Sequence, residues 1–387
     1  MNKRKVIVVT GARSEYDIVS PILEKLNIDI GFDLQLLVTG SHLSENFGKT
    51  VKNIETDGFI IADRVYNLVN TDEKIGRAIS LGHQIPAFAQ TIQRVQPDFI
   101  FITGDREDAL AAAITGAYMD KVVVHLAGGD IAKDGNIDNS ARYAVGKFAH
   151  IHLTLLDQHK ETLLKLGEDA WRIFVVGNPA LDKFISTPTL TTDDLSKKLN
   201  FSIGNDKYLV LIQHPIISDY EKETDHIRQT LDAIIETGLS CFVNFPNSDA
   251  GSFKIIQEYR HYANKYSSLY LFQNLDRITF VNLLRHASCL VGNSSSGIIE
   301  APSIGLPVVN VGKRQKGRIH SGNVIFTDND KKQIKEAILK SVNDKEYIKK
   351  VKKCANPYGD GKSADRIVKI LKNIKIDDRL LYKNITY

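Results

Sequence analysis

The residues able to move protons or hold charge in this chain gather in short segments that each follow an apolar, β-branched run. Ligands of an open parallel sheet bind beyond the carboxyl ends of its strands, so a site is expected at these places. The first half offers Thr10-Gly-Ala-Arg-Ser-Glu-Tyr16, Thr39-Gly-Ser-His42, Thr103-Gly-Asp-Arg-Glu107 and His125-Leu-Ala-Gly-Gly-Asp130, with Asp138 and Arg142 shortly beyond. The second half offers Gln213-His-Pro215, Phe245-Pro-Asn247, Gly292-Asn-Ser-Ser-Ser-Gly297 and Gly312-Lys-Arg-Gln-Lys-Gly-Arg318.

Each segment suggests a chemistry and also has a plainer use. Gly292 to Gly297 leads into a helix expected to begin near Ser296, where hydroxyls and backbone N–H groups at a positive helix end suit a diphosphate. An ordinary serine N-cap would use the same residues. Glu300, one turn after Ser296, could accept hydrogen bonds from sugar hydroxyls or be a solvated helix charge. His214, at a strand end, could hydrogen-bond a departing phosphate oxygen or be a capped structural histidine. Arg13, Arg106, Lys313, Arg314 and Arg318 could pair with phosphates or lie on the surface. Asp105, Asp130 and Asp138 bring carboxylates to one sheet edge, as general acid–base work requires, although Asp105 and Asp138 could equally cap helices. His42 and His125 are either substrate contacts or satisfied core histidines. Neither G-x-G-x-x-G nor G-x-x-x-x-G-K-[ST] occurs, which disfavours a dinucleotide redox enzyme and a P-loop ATPase.

The elements that must carry these segments alternate. Strands are predicted at 5–10, 34–39, 98–103, 122–126, 151–155 and 173–176, and again at 208–213, 240–245, 269–272, 289–291, 308–311 and 324–326. Helices are expected between them, including 14–26, 107–119, 140–148 and 158–166, the pattern of βα units and a parallel sheet. The breaker Gly177-Asn-Pro179 and the threonine-rich stretch 187–196 suggest a hinge. Two α/β domains are expected, residues 1–180 and residues 181–361, with the C-terminal segment 362–387 crossing back to complete the first.

Bulk properties narrow the classes. A chain of 387 residues is about twice what one core organises. Its 43% hydrophobic and 25% charged content is that of a globular protein. A net charge of +4 is too slight to argue for nucleic acid. Cys241, Cys289 and Cys354 match no metal-ligand spacing and are too few for a disulfide framework, which suits a reducing cytoplasm. The apolar run near the start is broken by Arg13 and Glu15 and does not read as a signal peptide, and no stretch approaches a membrane span.

Taken together, the ordered motifs from Gly11 to Gln315 resemble those of the hydrolysing UDP-N-acetylglucosamine 2-epimerases of sialic acid and related nonulosonic acid synthesis. The resemblance implies two Rossmann-like doubly wound domains facing a cleft, of the glycosyltransferase-B type, and a homodimer. It implies that Arg13, His214, Ser294, Ser295 and Arg314 hold the UDP phosphates, Glu300 the ribose, and that Asn247 forms part of the nucleotide pocket. Asp105 and Asp138 would be catalytic carboxylates, and His42, Arg106 and His125 would line the sugar site. No cofactor or metal is implied. The reaction would be anti elimination of UDP to a 2-acetamidoglucal, followed by syn hydration to a free 2-epimeric sugar such as N-acetylmannosamine.

One position departs from that pattern: the resemblance implies a glutamate where this chain has Ala127. Asp130 or Asp105 would then take over proton transfer, or the substrate would be a diacetamido-bacillosamine-type sugar nucleotide. Loss of turnover would leave a UDP-sugar-binding protein. A glycosyltransferase and a non-hydrolysing epimerase are the other enzyme alternatives.

Overall fold

Runs of valine, isoleucine, leucine and phenylalanine too short for a helix become strands buried on both faces, as a parallel sheet covered by helices requires. The computed structural model describes residues 3–384 apart from 70, 72–73, 132–136, 202, 204–205, 217–220, 247–250 and 274. In the first half the strands are β1 (Arg4–Thr10), β2 (Phe32–Thr39), β3 (Ile61–Val65), β4 (Phe99–Thr103), β5 (Val122–Leu126), β6 (Ile151–Thr154) and β7 (Ile173–Val175). In the second they are β8 (Tyr208–Ile212), β9 (Ser240–Asn244), β10 (Leu269–Phe272), β11 (Cys289–Gly292), β12 (Val308–Val311) and β13 (Val324–Thr327).

They form a seven-stranded sheet in the order β3-β2-β1-β4-β5-β6-β7 and a six-stranded sheet in the order β10-β9-β8-β11-β12-β13. Neighbouring strands pair in parallel, as between β1 and both β2 and β4. The same holds between β8 and both β9 and β11. Each sheet therefore winds outward from its first strand and then returns to that strand's other side, the doubly wound Rossmann-like arrangement. The reversals fall between β1 and β4 and between β8 and β11, where ligands of such sheets bind.

Two elements escape a reading by hydrophobic runs. β3 carries Asp63 and Arg64 and is only partly buried, because it forms the sheet edge. The helix Lys74–Val95 holds Pro86 in its interior, a residue that reads as a breaker.

The described structure divides into two compact units, one comprising residues up to Asp182 and from Tyr358 onward, the other Lys183–Pro357. The division falls inside the helix Ala180–Ser186 rather than in the threonine-rich stretch expected as a hinge. That stretch lies in the second unit and partly folds as the helix Thr192–Leu199, whose cap Thr191 accepts from the Asp194 N–H at 3.1 Å.

In the first unit the helix Ser363–Asn373 lies against Arg13–Ile28, burying Ala364, Ile367 and Leu371 in the same core as Val19, Leu23 and Leu26. Asp182 fixes its first turn by accepting from the N–H groups of Ser363 at 3.0 Å and Ala364 at 2.6 Å. The buried guanidinium of Arg172 ties down the tail by donating to the carbonyls of Leu380, Arg379 and Tyr382 at 2.6, 2.7 and 3.0 Å. Among the described residues no helix is long and apolar enough to cross a membrane.

Candidate active site

At the reversal of the first sheet, β1 ends in Thr10 and the next residues turn into the helix Arg13–Ile28. Glu15, in the first turn of that helix, folds back so that its Oε2 accepts from the N–H of Gly11 at 2.9 Å and of Ala12 at 3.2 Å. Asp108, from the helix Glu107–Tyr118 after β4, presses against the same loop, and a Cβ on Gly11 would stand 2.5 Å from its carboxyl oxygen. Burial, and then the charge of Asp108, raises the Glu15 carboxyl well above its ordinary range. Asp108 is also raised, again chiefly by burial. Arg106 stands 3.5 Å from Glu15 and 3.8 Å from Asp108 and offsets only part of this. Like charges so placed favour sharing one proton. The pair was not singled out in the sequence, although a glutamate three residues after a helix cap is the signal for such a fold-back.

Of the three carboxylates expected at one sheet edge, Asp105 and Asp130 meet on one guanidinium. Arg142, on the helix Ile137–Phe148, donates through Nη2 to Asp105, and its Nη1 stands 3.2 Å from Asp130. Asp105 does not cap the following helix: that position belongs to Arg106, and Asp105 is held by the guanidinium instead. Asp138 lies inside the first turn of Ile137–Phe148 rather than ahead of it, one turn before Arg142 on the same face. Burial alone would raise the Asp130 carboxyl, but the hydrogen bond and charge of His159 and the charge of Arg142 outweigh it and hold it well below its usual range.

His42 and His125, which the resemblance implies line the sugar site, are fully enclosed and hydrogen-bonded within the loops. His42 is fully buried, with Nε2 hydrogen-bonded to the Thr10 hydroxyl at 3.0 Å and Nδ1 to Thr50 at 2.8 Å. Burial pushes its pKa down to about 4, so it stays neutral. His125 is likewise fully buried and pushed down by burial to about 3, and its Nε2 meets the Gly104 carbonyl at 2.7 Å. Both rings hold loops in place, and His125 supports the residue immediately before Asp105. Arg13 is an exposed residue in the first helical turn, 3.7 Å from Asp17.

At the reversal of the second sheet, Asn293 organises the loops. It is 2% exposed. Its Oδ1 accepts from the His214 N–H at 2.7 Å and its Nδ2 donates to the His214 carbonyl at 2.8 Å, fixing the turn after β8 from both sides. Its own carbonyl receives Arg314 Nη1 at 3.2 Å and Gln315 Nε2 at 3.0 Å, so the loop after β12 is fastened to the same residue. Gly292 is obligatory: at φ 120° a Cβ there would stand 2.1 Å from the Ile212 carbonyl oxygen.

The helix expected at Ser296 is short. It spans Ser296–Ile299, four residues, and gives way at once to the 3₁₀ turn Ala301–Ile304. Ser295 occupies its cap without a side-chain bond, and the Ser294 hydroxyl accepts from the Ser296 N–H at 3.3 Å. So short a helix has little macrodipole, and cations and hydroxyls must supply the charge an anion needs. Burial raises the Glu300 carboxyl, against the Ser296 hydroxyl and the Arg277 charge. Asn247 lies outside the described residues. No cluster of three or more metal-ligating side chains occurs among the described residues.

Comparison with known proteins accords with this geometry. The chain is 34% identical over 385 residues to the UDP-N,N'-diacetylbacillosamine 2-epimerase (hydrolyzing) of Legionella pneumophila, covering 98% of each chain. It is 33% identical to the GDP/UDP-N,N'-diacetylbacillosamine 2-epimerase (hydrolyzing) of Campylobacter jejuni, with 99% of each covered. The crystal structure of Neisseria meningitidis UDP-GlcNAc 2-epimerase bound to UDP-GlcNAc shares the fold, with a TM-score of 0.75 at 19% identity over 95% of this chain and 99% of that one. The family model described as UDP-N-acetylglucosamine 2-epimerase matches residues 24–372, and the chain belongs to that family.

Proposed function

We propose that the protein is a hydrolysing 2-epimerase of a UDP-linked 2-acetamido sugar, releasing UDP and the free 2-epimeric sugar. The observation that carries this reading is the pair of carboxylates, Asp105 and Asp130, held on the single guanidinium of Arg142 at the reversal of the first sheet. The names of the two relatives that are a third identical favour a sugar with a second acetamido group, of the diacetamido-bacillosamine type, over UDP-N-acetylglucosamine. In the second unit Arg314, Ser294, Ser295 and His214 would hold the diphosphate and Glu300 the ribose.

The C2 proton of the substrate is not activated by a carbonyl. The C1–O bond therefore breaks first: UDP leaves with the bonding pair, stabilised by the cations, and positive charge grows at C1. That charge acidifies C2–H, whose proton passes to a carboxylate, and the C–H electrons close the C1=C2 bond of a glycal. Asp105 and Asp138 suit the proton transfers, whereas Asp130, held ionised, suits stabilisation of the cation. Water then adds its oxygen to C1, and a proton returns to C2 on the opposite face. Atoms balance as UDP-sugar plus water giving UDP plus the 2-epimer. On this reading the protein works in the cytoplasm as a homodimer, a state read by light scattering.

Incubation with UDP-N-acetylglucosamine and with a UDP-diacetamido sugar in D2O tests the chemistry. The expected result is UDP release by phosphorus NMR and deuterium at C2 of the released sugar. Release without deuterium overturns the elimination. A UDP-linked product indicates a non-hydrolysing epimerase, dependence on an added acceptor indicates a glycosyltransferase, and binding without release indicates a sugar-nucleotide binder.

A further inference from the structure

The loop that carries Asp130 rests on the first turn of the helix Asp157–Lys165, and two glycines make that approach possible. Gly129 has φ 78°, and a Cβ there would stand 2.2 Å from the His159 carbonyl oxygen and 3.1 Å from Leu163. A Cβ on Gly128 would stand 2.9 Å from the Nδ1 of His125. The glycines thus let the loop lie against His125 and His159 at once.

The approach brings His159 Nε2 to 3.3 Å from Asp130 Oδ1, while Arg142 Nη1 is 3.2 Å from Oδ2. Oδ1 also accepts from the Ile131 N–H of its own loop at 2.8 Å, so His159 and Arg142 are the partners that tie the carboxylate to the two flanking helices. The arrangement is asymmetric in exposure: the His159 side chain is 11% exposed and the Asp130 carboxylate 47%, so the histidine lies behind the carboxylate and leaves it open to a ligand. Among the described residues the Nδ1 of His159 is buried without a partner, whereas Nε2 faces an acceptor, so Nε2–H is the ring's donor to Asp130. Among the described residues, His125 is engaged with the Gly104 carbonyl and Asp105 with Arg142.

We propose that His159 is a positioning residue for the sugar chemistry: its Nε2–H orients Asp130 against Arg142, so that Asp130 and Asp105 act as one ordered pair. This rests on the elimination reading of the site. Loss of the histidine leaves Asp130 Oδ1 with only the Ile131 N–H of its own loop, at 2.8 Å, and Oδ2 with Arg142, so the carboxylate loses its one fastening to the helix Asp157–Lys165. Turnover suffers, while nucleotide binding, built in the second unit around Asn293, does not.

Two measurements test the assignment, one of them independent of turnover. In protein labelled with ¹⁵N-histidine, the Nε2–H of His159 is expected to give a protected downfield proton resonance that disappears in Asp130→Ala. Its persistence in that variant overturns the pairing whether or not the protein turns over any sugar nucleotide. In turnover, His159→Leu is expected to lower kcat about 10²-fold, the penalty of a misoriented group, with KM and the UDP Kd within about twofold of wild type. His159→Gln, which restores an N–H of similar reach, is expected to recover about tenfold of that loss. A folded Gln variant as impaired as the Leu variant, or a loss carried in KM, overturns the positioning role. Wild-type protein that releases no UDP refutes the reaction reading instead, and the resonance then decides the pairing by itself.

Discussion

Arg142→Met is the perturbation that most directly probes how the candidate site is held. The guanidinium is 10% exposed and serves two carboxylates, Asp105 at 20% and Asp130 at 47% exposure. Removing one partner of a fully buried pair costs about 3–5 kcal/mol, but the half-exposed Asp130 keeps much of its hydration, so the loss is about 2 kcal/mol. For a unit of this size that lowers Tm by roughly 4–8 °C. The sign of the pH dependence follows from Asp130, whose carboxyl is held below its ordinary range. Such a group contributes stability that is fully present above its unfolded value of about 3.9 and is lost only as pH falls through the lower folded value. The Tm gap between wild type and Arg142→Met should therefore be the same at pH 8 as at pH 5.5 and close only in strong acid. Turnover, read as UDP release, should fall at least about 10²-fold because the proton-handling Asp105 and the cation-stabilising Asp130 lose their orientation together. A variant of wild-type stability, or a gap that has already closed by pH 5.5, refutes the account.

Three further outcomes are expected. Glu15 and Asp108, both raised above their ordinary ranges, retain a proton that the unfolded chain releases. Their pairing therefore costs stability progressively as pH rises from the usual carboxylate range toward the raised values, and Asp108→Asn should flatten the fall of Tm between pH 4.5 and 8; an unchanged slope refutes the shared proton. Ala127 has φ 65°, a left-handed backbone that costs a residue with a Cβ about 1 kcal/mol, so Ala127→Gly should leave Tm unchanged or slightly raised, and a fall of several degrees counts against strain there. Asn293→Ala removes both side-chain bonds to the His214 backbone, and calorimetry should show UDP affinity falling about tenfold, in line with one or two lost hydrogen bonds. An unchanged Kd means that this clasp does not shape the nucleotide site.

What was legible in the sequence was what burial writes plainly. Strands such as β4 and β5, buried along their whole length, read as apolar runs interrupted only by Thr103 and His125, and the residues just after them read as site candidates. β3 was not legible because an edge strand needs only one covered face, and the long helix through Pro86 was masked by its own proline. The serine-rich loop was over-read, since serines and a glycine signal a helix start but not its length, here four residues. His159 left no trace because a histidine in the first turn of an amphipathic helix has no pattern of its own. Its contact exists only through the close approach that Gly128 and Gly129 permit.

The candidate loops of the two units are built differently, and the difference bears on the departure at Ala127. Around the nucleotide loops the fastening is to backbone: Asn293 grips the N–H and carbonyl of His214, and Arg314 and Gln315 bind a main-chain oxygen. Such a framework keeps its shape when surface side chains change. Around the carboxylates the fastening runs side chain to side chain, from His159 through Asp130 and Arg142 to Asp105, so each member depends on the next. A glutamate at 127 would have to grow from a left-handed backbone position whose neighbours, the two glycines, exist to seat Asp130. The loop is thus built to present Asp130 rather than its own position 127, and on the proposed reading the alanine fits a site in which Asp130 stabilises charge while Asp105 and Asp138 move protons.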